Sequence, residues 1–136
     1  MTRKIIPIIS ILFISALAVL FLIEYNSIDR DLLGRTFIVD AVYYQDERYV
    51  EISFFDNSNK TQSVVLEILG MPETFQKKFS SSEFTERVTF SSTPKYGWKI
   101  NPVTFVVEHE DFGKIGIKTE IRPQDEPPAP IIFSKL

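Results

Sequence analysis

The chain contains no cysteine, so disulfide bonds, thiol catalysis, zinc–thiolate sites and haem attachment through Cys-x-x-Cys-His are all excluded. It has a single histidine, His109, a single tryptophan, Trp98, and only Met1 and Met71 as thioethers, an inventory poorly suited to handling soft metals. Five glycines are scattered without a glycine-rich phosphate loop, and there is no internal repeat. With no covalent staple, stability must come from apolar burial. Twelve phenylalanines among many Ile and Val residues can provide it.

Charge is missing from one long stretch. Ile5 to Ile23, "IIPIISILFISALAVLFLI", carries none. As a helix, its 19 residues at about 1.5 Å each approach the thickness of a bilayer's hydrocarbon core. Pro7 falls in the first turn, where proline costs little. The alternative is a cleaved signal peptide, with Ser15-Ala16-Leu17-Ala18 as the cleavage site. That cut would leave Val19-Leu-Phe-Leu-Ile as the new terminus, and the run exceeds the roughly 7–15 residues of a signal h-region. A retained transmembrane helix is the expectation. Arg3 and Lys4 precede it, whereas Glu24, Asp29 and Asp31 follow with only Arg30 opposing. The N-terminus is therefore expected in the cytoplasm and the remainder outside.

The outer part is acidic: 15 basic residues less Arg3 and Lys4, against 18 acidic ones, leave a charge of −5. Nucleic acid and anionic lipid are disfavoured as partners. Membrane lipid is expected only around residues 5–23.

From Gly34 onward apolar residues recur with period two, the signature of half-buried strands. Phe37, Val39, Ala41 and Tyr43 share one face, as do Val50, Ile52 and Phe54, then Val64, Leu66 and Ile68. Phe84, Val88 and Phe90 follow, then Val103, Phe105 and Val107, then Ile115, Ile117 and Ile121. Phe75, Lys77 and Phe79 fit a further short strand or one helical turn, and the strand is the expectation. Turn signals separate the runs at 45–46, 56–60, 70–72, 91–94 and 111–113. Six or seven short antiparallel strands predict a two-sheet β-sandwich.

His109 lies in "VVEHEDFGKIG" among Glu108, Glu110 and Asp111. Sequential neighbours on a strand point to opposite faces, so Glu108 and Glu110 diverge from His109 and do not converge on a metal. Asp111-Phe112-Gly113 reads as a three-residue hairpin loop with Gly113 at its left-handed position. Pairing His109 with Ile115 places Val107 opposite Ile117, Phe105 opposite Thr119 and Val103 opposite Ile121. The other parts of a kinase are missing, so the Asp-Phe-Gly carries no phosphoryl-transfer meaning. His109 is expected to cap the rim of the core, with a second ligand from another strand left open.

Asn59-Lys60-Thr61 fits an N-glycosylation acceptor in a turn. In "PKYGWKINP", residues 94–102, Tyr96 and Trp98 either cover one end of the sandwich or form a contact hot spot. The tail "RPQDEPPAPIIFSKL" begins as extended, polyproline-like chain and ends in Ile131, Ile132 and Phe133. Those three either return to the domain as an edge strand or meet a partner.

The stretches "SVVLEILG", "EFTERVTFSSTP" and "GWKINPVTFVVEHEDFG" lie in a strand order, Arg35 to Arg122, that resembles immunoglobulin-like sandwiches. The resemblance is greatest to the cysteine-free, cell-adhesion-related modules of microbial surface proteins. It lacks the Cys-Trp-Cys core of antibody domains. It implies a protein-facing role at a cell surface, and it carries over no catalytic residue.

The expected organisation is a cytoplasmic stub at 1–4, an anchor at 5–23, a juxtamembrane linker at 24–34, an all-β, antiparallel Ig-like sandwich at 35–122 and a Pro-rich tail at 123–136. The expected function is a single-span membrane protein presenting an interaction domain to a protein partner in or near the same membrane. It would serve as an accessory subunit of a membrane complex. No cofactor and no catalytic residue is expected. The alternative is an extracytoplasmic enzyme or metal-handling protein with a site near His109; carboxylate pairs such as Glu83 and Glu86 have no spacing that selects them.

Overall fold

A computed structural model describes residues 29–71, 75–90, 94 and 97–136. The stub 1–4, the anchor 5–23, residues 24–28 of the linker, and Tyr96 lie outside the described residues. Among the described residues no helix is long and apolar enough to cross a membrane.

The chain enters through a short helix, α1 (Arg30–Thr36). Asp29 caps it, its side chain accepting the Leu32 N–H at 3.0 Å, with Asp31 in the first turn and Arg35 in the last, as the helix dipole favours. Leu33, 2 % exposed, docks the helix onto the core. Nine strands follow among the described residues: β1 (Phe37–Tyr44), β2 (Tyr49–Asp56), β3 (Thr61–Ile68), β4 (Phe75–Phe79), β5 (Glu83–Thr89), β6 (Val103–His109), β7 (Gly113–Thr119), β8 (Arg122–Pro123) and β9 (Ile132–Lys135). One 3-10 turn, Trp98–Ile100, precedes β6.

The strands form two sheets, ordered β5-β2-β1-β8 and β4-β3-β6-β7-β9. All pairings are antiparallel except β1 with β8. The period-two faces read from the sequence point inward, since Val50, Ile52, Val64, Leu66, Val103, Phe105 and Val107 are all fully buried. Phe54 lies at the centre, with ring centroids 5.9 Å from Phe37, 5.2 Å from Phe84 and 5.8 Å from Phe105. Burying each such side chain stabilises the fold by about 1.5–3 kcal/mol. Phe75–Phe79 is a strand, and Phe79 stacks on Phe84 at 3.8 Å across the β4–β5 side of the sandwich. The Lys77–Glu86 ion pair, 2.8 Å, closes the same side.

Three expectations require correction. The sandwich is not confined to 35–122: α1 begins within the supposed linker, and β9 is part of the second sheet. In both segments one apolar side chain, Leu33 or Phe133, gains a core site that offsets the entropy of ordering it. The strands also exceed seven, because β8 adds to β1 and β9 to β7. Finally, His109 pairs with Gly113 and Val107 with Ile115, two residues away from the expected register. Nδ1 of His109 accepts the N–H groups of Asp111 and Phe112 at 3.1 and 3.3 Å, so the loop is Glu110–Phe112 and Gly113 joins the ladder. A shift of two leaves every side chain on its expected face.

Candidate functional site

The only histidine belongs to a buried polar cluster at the end of the sandwich where the chain enters. Asp56, the last residue of β2, is the centre of it and is 2 % exposed. Its Oδ1 accepts from the Ser58 N–H at 2.8 Å and the Ser58 hydroxyl at 2.6 Å. Its Oδ2 accepts from the Lys60 N–H at 3.0 Å and the Thr61 hydroxyl at 2.6 Å, and lies 3.1 Å from His109 Nε2. Burial alone would push this carboxyl up. The hydrogen bonds from Ser58, Thr61 and the Ser58 and Lys60 amides outweigh it and hold the group at about 2.

Local sequence explains the arrangement. An Asp followed two residues later by Ser readily forms a side-chain-to-backbone turn. Asn59 takes a left-handed φ of 56°, which asparagine tolerates. A register shift between Thr61 and Ser63 then pairs Thr61 with His109, which brings the Thr61 hydroxyl to the His109 face.

Because Nδ1 of His109 accepts two backbone N–H groups, it carries no proton, and Nε2 must be the protonated nitrogen. That N–H points at Asp56 Oδ2 and at the Ser58 oxygen, 2.9 Å away. Asp, Ser and His are thus together, but not as a hydrolytic triad. In such a triad the hydroxyl and the carboxylate occupy opposite ring nitrogens. Here both share Nε2, and the hydroxyl proton goes to the carboxylate. Neither ring nitrogen is left for a metal, and no group of three or more His, Cys, Asp or Glu side chains that could hold one occurs among the described residues. The cluster ties the turn after β2 in one sheet to the β6–β7 hairpin in the other.

The other sequence candidates are dispersed. Asn59 is exposed in the β2–β3 turn, while the Thr61 hydroxyl of its acceptor pattern is tied to Asp56. Trp98, 7 % exposed, lies at the opposite end of the core, 4.5 Å from the Tyr43 ring and edge-on to Phe90 at 5.0 Å. Its surface is used by its own domain. A cavity of about 530 Å³ beside it is lined by Ile121, Arg122 and the prolines 127, 128 and 130. Arg122 is held there by two bonds to Asp40, at 3.0 and 2.7 Å, and donates to the Glu126 carbonyl at 2.6 Å. The hydrogen bond to Asp40 raises the guanidinium above its ordinary range against a smaller desolvation effect.

The tail divides within three residues. Ile131 packs partly against the core, Phe133 is 7 % exposed, and Ile132 between them is 58 % exposed. With Leu136 at 59 %, Ile132 leaves apolar surface along β9, the last strand of its sheet. Ser58 and Leu136 were not singled out by the sequence, Asp56 entered only as the first residue of a turn, and Thr61 only as part of the Asn59 acceptor pattern. The Asp-x-Ser spacing is the one local signal from which Asp56 and Ser58 were readable, and it was not used.

Compared with known proteins, the chain matches no family model, no curated protein and no solved structure.

Proposed function

We propose that the chain is a single-span membrane protein that holds an Ig-like interaction domain against the outer face of the membrane, as an accessory subunit of a membrane complex. The observation that carries this reading is one of spacing. The uncharged run Ile5–Ile23 ends six residues before α1 begins at Arg30. Six residues reach at most about 21 Å, so a domain tethered this way meets lateral partners rather than distant ones.

The sheet order supports the Ig-like part. β1, β2 and β5 share one sheet and β3, β6 and β7 the other, the two-sheet division of Ig-like sandwiches. β4 lies beside β3 rather than on the β5 side where the constant-type arrangement puts its fourth strand. The buried Trp98 just ahead of β6 has no disulfide beside it, so the core depends on phenylalanine packing instead.

The surface offered to a protein partner is the outer edge of β9 with Ile132 and Leu136. Apolar side chains flanking the edge of a sheet favour addition of a strand from a partner. The test is co-purification of the full chain from detergent-solubilised membranes, wild type beside an Ile132→Glu/Leu136→Glu variant. A companion protein present with the wild type and lost from a variant of unchanged Tm is expected. An identical set of companions in both would contradict the assignment of this edge.

A further inference from the structure

A second group of exposed apolar side chains lies at the end where the chain enters. Ile38 is 57 % exposed, Leu32 40 % and Phe55 38 %. Ile38 and Phe55 stand directly opposite each other on β1 and β2. Two rungs further out, beyond Phe37 and Asp56, the Asn57 N–H donates to the Thr36 carbonyl at 2.8 Å, and the Thr36 hydroxyl donates to the Leu32 carbonyl at 2.7 Å. The three side chains therefore belong to one corner, made of α1 and the first rungs of β1 and β2. β8 pairs with β1 only at Val42 and Tyr43, so no described strand covers β1 from Phe37 to Ala41 on that side.

We propose that this corner inserts into the headgroup–acyl boundary of a zwitterionic phospholipid bilayer. The proposal rests on the anchoring reading above. Residues 24–29 are all that separates Ile23 from α1, so the start of α1, the element that carries Leu32, lies within about 21 Å of the end of the apolar run. Three partly exposed side chains make too small a patch for a specific protein interface, which takes roughly 800 Å² from each partner. They suffice for lipid, because a short tether gives an effective concentration in the millimolar range, at which a weak contact is populated. Charge selects the lipid class. Asp29, Asp31 and Glu83, which pairs with Phe55, stand against Arg30 and Arg35, so the corner offers no excess of cations to anionic headgroups.

The absence of cysteine makes the test direct. Ile38→Cys, Phe55→Cys and, as a control, Gln45→Cys in the turn at the far end of β1 are each introduced into the full chain, labelled with an environment-sensitive fluorophore and reconstituted into phosphatidylcholine vesicles. Labels at 38 and 55 should shift to the blue and lose fluorescence to nitroxide-bearing lipid, whereas the label at 45 should be quenched only by aqueous iodide. Vesicle flotation is scored first. A chain that does not float overturns the anchoring reading and this proposal with it. A chain that floats while labels 38 and 55 stay open to iodide overturns the docking alone. Labels shielded from both quenchers would mean that protein covers the corner, which also overturns it.

Discussion

Nε2 of His109 lies 3.1 Å from Oδ2 of Asp56, and both side chains are wholly removed from solvent. The pair joins the two sheets at one end through polar groups, beside a core made mainly of apolar side chains. A carboxylate in that position must be fully hydrogen-bonded, because an uncompensated buried charge costs several kcal/mol. Asp56 meets the requirement with donors from Ser58, Lys60, Thr61 and His109.

Removing the acceptor should therefore harm folding more than removing any single donor. Asp56→Ala is expected to destabilise by about 3 kcal/mol or more, since it strands the Ser58, Thr61 and His109 donors together. Ser58→Ala, which removes one hydroxyl near the turn surface, should cost about 1 kcal/mol. Urea denaturation of the two variants beside the wild type measures the ranking. Equal losses would show that the cluster is not centred on Asp56.

The same carboxylate predicts an acid limb. Its pKa falls from 3.8 to about 2 on folding, so its contribution is fully present above pH 3.8 and is lost as pH falls through 2. A shift of that size corresponds to about 2 kcal/mol. Stability measured between pH 5 and 2 should decline more steeply for the wild type than for Asp56→Asn, in which residue 56 no longer titrates.

Two glycines separate conformational strain from collision. Gly113 has a φ of 70° with nothing near an added Cβ, so Gly113→Ala meets only the left-handed penalty of about 1–2 kcal/mol. Gly70, at 79°, would direct a Cβ into the Ile100 carbonyl oxygen, a backbone atom that cannot move aside alone. Gly70→Ala should lose more stability than Gly113→Ala, and thermal melts of the two variants measure the difference.

The tail is a structural strand, so its removal should be felt within the domain. Deleting residues 127–136 strips β9 from β7 and removes Phe133 from the core. Phe133→Ala alone should cost about 3 kcal/mol. Circular dichroism and melting of a fragment spanning 29–136 against one ending at 126 measure this. Unchanged stability would mean that β9 is not held in solution.

What the sequence revealed, and what it concealed, follows from the range of each interaction. The inward faces of β1, β2, β3, β6 and β7 were legible because alternation is written into consecutive residues such as Val103, Phe105 and Val107. Gly113 was legible as a left-handed position for the same local reason, although it stands in the ladder rather than in the loop. The register of that hairpin was not, because it depends on the His109 ring gathering two amides of its own loop. β8 escaped because its partner lies far back in the chain, Val42 for Arg122, while β9 was legible only as one of two fates of Ile131–Phe133, because nothing local to the tail selects Ile117 as the partner of Phe133. The site was less legible than the fold. Asp56 resembled an ordinary turn residue, and nothing local showed that His109, 53 positions on, would face it.

The account stands most heavily on an anchored domain outside the membrane. Because the chain has no cysteine of its own, a single Gln45→Cys in the exposed β1–β2 turn reports its compartment directly. Intact cells are treated with a membrane-impermeant maleimide and then fractionated. The account predicts labelled protein that stays with the membranes and begins ahead of Val19. Labelling only after permeabilisation, or labelled protein released in soluble form with its N-terminus near Val19, would contradict it.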